Sequence, residues 1–410
     1  MPTVSNAYLT VLRVPGAARF CLGGFLGRMP MAMLSIVVLL LVRDRTGSYA
    51  LAGTASAIAS LTQAGVAPVI GRLVDRRSQT AVVPALLALL LGGLTVLVVA
   101  SVVDGPTWVM FAGAVVAGAG LLPYGALSRS RWAHLLHGDD RRMSTALALE
   151  SIVDEGVFII GPVVVTTLAL VDPTLGAVAA GVFACVGTGL FLASPATEPP
   201  PRRPGGGPAA RRPRGLWVVV ATSGLLGAVF GCIEVSTIAF AQLEGRAQFA
   251  GLLLGLVALG SLAAGLWYGT RAWRWDLSIR YRVSLLTLGV GALPLLFVPS
   301  IAWMAPACLV LGLSIAPTLI ASSSLIARLM PPALRTEGFS WHSSSINVGV
   351  AAGAALAGSL IEAVDVRAAF GAIPVTALVA VGVTALGAGL LRPQRESEAV
   401  SPAEVDLGRV

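Results

Sequence analysis

Residues 150–162 read ESIVDEGVFIIGP and place three carboxylates, Glu150, Asp154 and Glu155, inside an apolar segment. The segment runs from about residue 144 to residue 171, which is long enough to span a bilayer. A charge at bilayer depth costs roughly 2.5–3.5 kcal/mol on insertion scales, so it normally faces a partner or a water-filled cavity. Three acids on one such helix therefore predict a polar pathway through a membrane.

The composition is that of an integral membrane protein. Of the 410 residues, 56% are hydrophobic and only 12% are charged, whereas a soluble domain carries about 25% charged residues. All 28 basic residues are arginine, which we interpret as the signature of a GC-rich bacterial genome. The four cysteines stand singly in apolar segments, without metal-ligand or disulfide spacing. We therefore predict no metal site and no cofactor.

Apolar runs of about 20 residues recur twelve times along the chain, and each is long enough to cross a bilayer. The predicted spans are 17–42, 49–73, 80–102, 108–127, 144–171, 175–193, 216–243, 249–268, 283–298, 301–325, 339–361 and 368–391. The sequence thus predicts an all-α membrane protein with twelve transmembrane helices.

A polar segment at 198–214, rich in Pro, Gly and Arg, divides these spans into two groups of six. A segment of this composition cannot pack a core and is typical of a flexible linker. We predict four regions, which are an N-terminal six-helix bundle at 1–194, a linker at 195–215, a C-terminal six-helix bundle at 216–391 and a tail at 392–410.

The placement of arginine predicts the orientation. If the N-terminus is cytoplasmic, external loops hold only four arginines, and 23 of the 28 lie on or face the cytoplasmic side. This positive-inside bias predicts that both termini and the linker are cytoplasmic, with the chain in the inner (plasma) membrane. The net charge of +8 then follows from topology, and we predict no binding to nucleic acid.

The two halves look like distant copies of one another. An offset of 194 residues aligns Gly118 with Gly312, and an offset of 193 aligns Asp154 with Asn347. Parallel repeats are a known plan of transporters. We therefore predict a duplicated six-helix unit, in which Asn347 is a candidate pathway residue as the counterpart of Asp154.

The loop after the second span reads GRLVDRRSQT at residues 71–80. It resembles the signature loop of the major facilitator superfamily, because Gly71, Asp75 and Arg76 match that pattern and Ser78 stands where the family has a second glycine. Twelve spans and a central linker extend the resemblance to the whole chain. The resemblance implies two six-helix bundles that alternate access to a central site.

The matching loop residues have a physical interpretation. Gly71 allows backbones to approach closely, Asp75 can accept hydrogen bonds from a neighbouring helix N-terminus, and Arg76 can pair with an acid. In the family, such contacts latch the cytoplasmic side shut in one conformation. The resemblance implies that role for these three residues, and a solvated loop is the alternative.

Gly161 and Pro162 resemble the Gly-Pro motif of exporters in the family, in which small residues let helices of the two halves pack and kink. This similarity favours export. Many proton-coupled drug exporters also carry an arginine within the fourth helix, whereas the predicted span at 108–127 contains none. The resemblance therefore implies a facilitator-type transporter more strongly than proton-driven drug efflux.

The family lines its central path with the first, fourth, seventh and tenth helices, and spans 2, 5, 8 and 11 complete it. Arg28 lies near the middle of the first span and Glu234 near the middle of the seventh. We therefore expect Arg28, Asp154, Glu155 and Glu234 to face one cavity. Arg28 is predicted to pair with Asp154 or Glu155, which leaves another acid and Glu234 for protons or a cationic substrate. A structural ion pair between spans 1 and 5 is the alternative.

Four further residues are candidates for the pathway. Glu150 lies nearer the cytoplasmic end, so we expect it to be less central than Asp154 and Glu155. His342 could titrate or contact substrate, with an interfacial position as the alternative. Tyr124 and Asn347 are candidate cavity residues.

We predict a monomeric secondary transporter that exports a small molecule by alternating access, an efflux permease or antiporter, with coupling to protons left open. Its expected partners are the lipid bilayer, a small-molecule substrate and protons. An uptake permease, a non-transporting membrane sensor and a lipid-modifying enzyme are the alternatives. The chain lacks a His-Glu-x-x-His motif and a phosphate-cradling Gly-Lys-Ser/Thr loop, so we predict that it is not an enzyme.

Overall fold

The computed structural model describes residues 4–201, 212–246, 249–271 and 273–391. Most of the predicted linker, at 202–211, and the predicted tail at 392–410 lie outside the described residues. The helices are α1 (Val4–Leu12), α2 (Ala17–Thr46), α3 (Tyr49–Arg77), α4 (Gln79–Val102), α5 (Thr107–Gly120), α6 (Tyr124–Leu135), α7 (Asp140–Ala169), α8 (Pro173–Leu192), α9 (Arg214–Leu243), α10 (Ala250–Thr270), α11 (Leu277–Ala292), α12 (Ile301–Gly312), α13 (Ile315–Leu329), α14 (Arg335–Ala363) and α15 (Val366–Leu386).

Twelve helical units of the described chain are long and apolar enough to cross a membrane. The predicted all-α multi-pass fold is therefore confirmed. The fourth unit consists of α5 and α6 and ends at Leu135, so the predicted end of this span at residue 127 is wrong. Arg129 and Arg131 are typical of a loop in sequence, but both lie within α6 and are largely buried.

The helices α2 to α8 form one bundle, and α9 to α15 form a second. Equivalent helices of the two bundles pack in the same way. Gly118 of α5 lies against Ala59 of α3, and Gly312 of α12 lies against Val257 of α10. Because these glycines are the pair that the predicted repeat aligns, the packing supports two copies of one six-helix unit.

The two halves meet mainly through α3 with α14 and through α7 with α10. Their hydrogen bonds cluster at one end of the molecule, which carries the turns at 77–79, 136–140 and 330–335. Arg76, Arg77, Arg141, Arg142 and Arg335 lie in or beside these turns, so we call this end the arginine-rich face. The short helix α1 also lies there and packs on both α7 and α10. From α1, the Tyr8 hydroxyl donates to the Gly265 carbonyl of the other half at 3.2 Å.

Away from the arginine-rich face the halves diverge. On the side of α7 that faces α10, Ala148 is fully buried, whereas Ile159, three turns further along, is 56% exposed. On the side of α14 that faces α3, Ser340 is fully buried and Asn347, two turns further along, is exposed. The molecule is therefore closed at the arginine-rich face and forms a cleft that opens toward the opposite face.

Candidate functional site

A cluster of four charged side chains lies inside the N-terminal half, between α2, α6 and α7. Arg28 of α2 pairs with Glu150 and, at 3.0 Å, with Asp154 of α7. Arg129 of α6 contacts the other oxygen of Asp154 at 2.6 Å. The predicted pairing of Arg28 with Asp154 is therefore confirmed. Two guanidinium groups and two carboxylates balance one another, as buried ions require.

Glu150 is the most enclosed acid of this cluster. Its side chain is 1% exposed, and its second oxygen accepts a hydrogen bond from Trp132 Nε1 at 2.9 Å. Glu150 is therefore more enclosed than Asp154, and its lesser role in the pathway relative to Asp154 and Glu155 stays a prediction. Glu150 lies at the same depth in the bundle as Arg28, so the two side chains meet. Because α6 continues to Leu135, Trp132 also lies against Glu150.

Access to the cluster differs between its members. The side chains of Asp154 and Arg129 are 27% and 11% exposed, whereas Arg28 is 1% exposed. The expectation that Arg28 faces a cavity is therefore wrong, and Asp154 is the more exposed acid of the cluster. Tyr124 is also buried, with its hydroxyl 2.6 Å from Thr188 Oγ1 and its carbonyl oxygen accepting from Arg28 at 3.3 Å.

Glu155 points to the other half rather than to Arg28. Its carboxylate approaches Ser261 of α10, and that serine is 1% exposed with a hydroxyl that has no hydrogen-bond partner in the described part of the chain. Glu155 as the partner of Arg28 is therefore wrong.

Glu234 of α9 and Asn347 of α14 are exposed residues of the C-terminal half. Within the described ranges, neither side chain forms an ion pair or a hydrogen bond. Glu234 lies between the middle of α9 and its end at Leu243, on the side away from Arg214 and the arginine-rich face. The structure does not bring Glu234 into contact with the cluster around Arg28, so the two form separate polar sites.

His342 lies inside the C-terminal half. It is 3% exposed, its Nδ1 lies 2.6 Å from Ser223 Oγ, and its Nε2 lies 3.4 Å from Ser322 Oγ. The interfacial interpretation of His342 is therefore wrong. The imidazole instead connects α9, α13 and α14 through two serine hydroxyls.

The contact between α3 and α14 closes the arginine-rich face. Asp75 accepts hydrogen bonds from the backbone amides of Thr336 at 3.2 Å and Glu337 at 2.9 Å. These amides belong to the first turn of α14, where the helix dipole favours an anion. The prediction that Asp75 accepts hydrogen bonds from a neighbouring helix N-terminus is confirmed.

The arginine that completes this contact is not the predicted one. Arg72 pairs with Glu337 at 3.1 Å, and Arg212 joins the same carboxylate at 2.8 Å. Arg76 is exposed and forms no ion pair in the described chain, so its predicted pairing with an acid is wrong. Arg72 precedes Asp75 by three residues and shares its helix face, whereas Arg76 is rotated about 100° from Asp75.

Two glycines permit the close approach of the halves. A Cβ atom on Gly71 would lie 2.9 Å from the Glu337 Cα, and a Cβ atom on Gly269 would lie 2.6 Å from the Ala148 Cβ. The Gly269 carbonyl also accepts a hydrogen bond from Thr145 at 2.5 Å. The repeat thus builds two similar contacts, α3 on α14 and α10 on α7.

Ser78 occupies the position at which the signature loop has its second glycine. Its φ of 130° lies in the region that glycine favours. The same serine caps α4, because its hydroxyl accepts a hydrogen bond from the Ala81 amide at 3.1 Å. The Glu198 carboxylate adds hydrogen bonds to the amides of Gln79 and Thr80, which anchors the end of the N-terminal half to the same turn.

Gly161 and Pro162 lie on the part of α7 beyond the charge cluster. Pro162 is accommodated inside α7, which continues to Ala169. Gly161 lies against Ala32 of α2, within the same half. The expected packing between the two halves at this motif is not present in this conformation.

Two repeated six-helix bundles, joined at one face and separated at the other, define a transporter-type membrane protein. A family model described as Major Facilitator Superfamily matches residues 20–244 and 235–408. The chain therefore belongs to the major facilitator superfamily, whose members are transporters rather than enzymes. The predicted family and fold are confirmed, and the lipid-modifying enzyme is set aside.

Solved structures share the fold at low sequence identity. The human organic anion transporter MFSD10 (TETRAN) is 17% identical, with a TM-score of 0.69, and the alignment covers 94% of this chain and 100% of that one. A bacterial homologue of the iron transporter ferroportin in an outward-facing state is 17% identical, with a TM-score of 0.72 and coverage of 91% and 99%. The transporter FucP in an outward conformation is 15% identical, with a TM-score of 0.70 and coverage of 92% and 99%. A comparison with curated protein sequences found no match.

Proposed function

We propose that this protein exports a small molecule across the plasma membrane by alternating access, with its arginine-rich face in the cytoplasm. The excess of arginine at that face supports this orientation. In that orientation, the described conformation is closed to the cytoplasm and open to the outside. The Gly161-Pro162 similarity to exporters supports the direction of transport.

The observation that carries the proposal is the placement of acids relative to the closed face. Asp154 is already neutralised by Arg28 and Arg129, at 3.0 and 2.6 Å. Glu234 is exposed and has no partner in the described chain. An ionisable group at membrane depth without a partner is a functional-site candidate. We therefore assign Glu234 to the exchange of a proton, or to the cationic group of a substrate.

Transport measurements test this assignment. Growth of a host that expresses the protein, across a panel of toxic compounds, selects a transported compound. Purified protein in liposomes is then assayed with that compound, with and without an imposed proton gradient. If Glu234 carries the proton, Glu234→Gln abolishes gradient-driven transport but leaves substrate exchange intact. If Glu234 binds the substrate, both activities are lost.

The matched control is Glu244→Gln, which removes an exposed carboxylate at the end of the same helix and is expected to transport normally. Full gradient-driven activity of Glu234→Gln would contradict the assignment. Sensitisation of the host, with accumulation of the compound instead of resistance, would identify an uptake permease. Absence of any transported compound would favour a sensor on the same fold.

Orientation is tested separately. Cysteine substitutions at Arg77 on the arginine-rich face and at Asp172 on the opposite face, both exposed, are labelled in intact cells with a membrane-impermeant maleimide. The native exposed cysteine, Cys185, is first changed to serine. We expect labelling at residue 172 and protection at residue 77; the reverse pattern would invert the proposed orientation and the direction of the open cleft.

A further inference from the structure

A cavity of about 700 Å³ lies between the two halves at the arginine-rich face. The N-terminal half contributes the end of α6 and the start of α7, and the C-terminal half contributes residues 271 and 273–276 with the adjoining ends of α11, α13 and α14. The cavity lies on the closed side of the molecule, away from the cleft that opens toward the opposite face. In this conformation it is therefore separate from that cleft.

The lining of this cavity is strongly basic. Six arginines line it, against two aspartates: Arg141, Arg271, Arg274, Arg280, Arg328 and Arg335, with Asp140 and Asp276. Partial burial raises the pKa of Asp276, but hydrogen bonds from Ser278 and the pair with Arg328 at 3.1 Å outweigh it and hold that pKa below its usual range. Asp276 therefore neutralises one arginine, and the cavity keeps an excess of positive charge.

Most of these arginines have contacts that fix them in place. Arg280 donates to the Tyr268 hydroxyl at 2.6 Å, and Arg335 donates to the Ala133 carbonyl at 2.7 Å. Arg271 lies 5.0 Å from the ring of Trp267. These contacts leave the positive charges without a carboxylate partner. They order Arg271, Arg280 and Arg335, whereas Arg141 and Arg274 are exposed side chains.

Two arginines from opposite halves remain free. The guanidinium groups of Arg141, at the start of α7, and Arg274, between α10 and α11, have neither an ion pair nor a hydrogen bond within the described residues. Ser144, one turn along α7 from Arg141, also lines the cavity. It is only 4% exposed, and its hydroxyl has no hydrogen-bond partner in the same ranges. A buried unpaired hydroxyl is costly unless a ligand satisfies it.

We propose that this cavity binds a phosphate-bearing anion, held by Arg141 and Ser144 of one half and by Arg274 of the other. Guanidinium groups and hydroxyls are the side chains that recognise phosphate oxygens through charge-assisted hydrogen bonds. The volume accommodates a diphosphate or the headgroup of an anionic lipid. Both sources present the same phosphate chemistry to the same three side chains.

Binding of this anion stabilises the conformation that is closed at the arginine-rich face. Arg141 and Arg274 line one cavity only while α7 and α10 are in contact, so an anion that bridges them binds the closed form preferentially. A ligand shifts a two-state equilibrium by its difference in affinity for the two states. The site is thus a regulatory one, and it rests on the alternating access proposed above.

Binding is measured first, without transport, so that its failure is distinguishable from failure of the proposed function. Inorganic pyrophosphate is titrated into purified protein in a neutral detergent, at low and at moderate salt. We expect saturable binding that Arg141→Gln and Arg274→Gln each weaken by about tenfold, the loss of one charge-assisted contact. The matched control is Arg77→Gln, which removes an exposed arginine of the same face outside the cavity and leaves binding unchanged.

Conformation is measured by the distance between spin labels at Arg142 and Ile279, exposed positions on the two halves that do not line the cavity. Pyrophosphate is expected to raise the population with the shorter distance in the wild type and not in Arg274→Gln. The same distance and the binding of pyrophosphate are then measured in nanodiscs of phosphatidylglycerol and of phosphatidylcholine, to decide whether the bound phosphate group comes from a lipid or from a soluble molecule. If phosphatidylglycerol itself closes the face and blocks pyrophosphate, a lipid headgroup occupies the site; if it does neither, the ligand is a soluble phosphate.

Three results would overturn the proposal. The first is no saturable binding of pyrophosphate together with no effect of phosphatidylglycerol on the distance. The second is an equal loss of affinity in Arg77→Gln and Arg274→Gln, which would mean that the whole basic face attracts anions without a site. The third is binding with an unchanged distance distribution, which would refute the regulatory role.

Discussion

Removal of the Glu150 charge tests whether the charge cluster is a balanced structural unit. Arg28 and Glu150 are each 1% exposed, and Glu150 also accepts a hydrogen bond from Trp132. In Glu150→Gln, the two arginines of the cluster face a single carboxylate, Asp154, which both already contact. Removing one partner of a buried pair costs about 3–5 kcal/mol, because an uncompensated charge remains.

The expected loss is large enough to measure by thermal unfolding. For a cooperative unit the size of one half, a loss of 3 kcal/mol lowers the melting temperature by roughly 6–12 °C. Cys21, Cys232 and Cys308 are buried and Cys185 is exposed. A thiol-reactive fluorescent dye therefore reports unfolding once Cys185 is changed to serine.

The double variant Arg28→Gln, Glu150→Gln separates charge imbalance from loss of packing. The double variant leaves Arg129 paired with Asp154, which is again a neutral cluster. Its melting temperature should therefore be higher than that of Glu150→Gln. The control Glu244→Gln alters an exposed helix end and should shift stability by less than about 0.5 kcal/mol. A Glu150→Gln protein that melts like the wild type, or a double variant that melts below the single one, would refute the balanced-cluster explanation.

Three other changes test the contacts at the arginine-rich face. Asp75→Ala removes the acceptor of two backbone amides, a net loss of about one charged hydrogen bond, and should raise the modification rate of a cysteine placed at the buried Ser340 by about tenfold. The control Arg76→Gln should leave that modification rate unchanged. Equal rates in the two variants would contradict a role for Asp75 in holding the arginine-rich face closed. Ser78→Ala loses the cap but keeps the strained φ, so it should cost about 1 kcal/mol, whereas Ser78→Gly relieves the strain and should be at least as stable as the alanine variant. Tyr8→Phe removes the bond from α1 to α10 and should favour opening by about 1 kcal/mol, measured by the same cysteine modification; an unchanged rate would show that α1 does not restrain the halves.

Much of the fold is predictable from the sequence, because a bilayer accepts few structures. Its core supplies no hydrogen-bond partners, so each crossing must be a helix of apolar residues and is visible as such in the sequence. The same reasoning predicts the pairing of Arg28 with Asp154, since a charge at that depth requires a partner. The contact of Asp75 with the first turn of α14 is predictable for another reason, because the amides and the dipole of a helix N-terminus favour a carboxylate.

The sequence could not predict which side chains complete these contacts. From the sequence, Arg129 is expected just beyond the end of a span, because arginine is common at membrane boundaries. In the structure, α6 continues and buries it beside Asp154. The pairing of Arg72 with Glu337 required the rotation of α3 against α14, 265 residues apart in the chain.

Taken alone, the sequence determined the number of spans, their division into two repeats, the family and a buried acid on α7 that needs a cation. These properties follow from local composition and spacing. Only the tertiary structure decided that Glu150, with Trp132 above it, is the enclosed partner of Arg28, and that Glu155 faces the other half. The reason is physical: hydropathy sets which helices cross the membrane, but the rotation and depth of each helix against its neighbours, which set the partners of a charge, are determined by packing among helices distant in sequence.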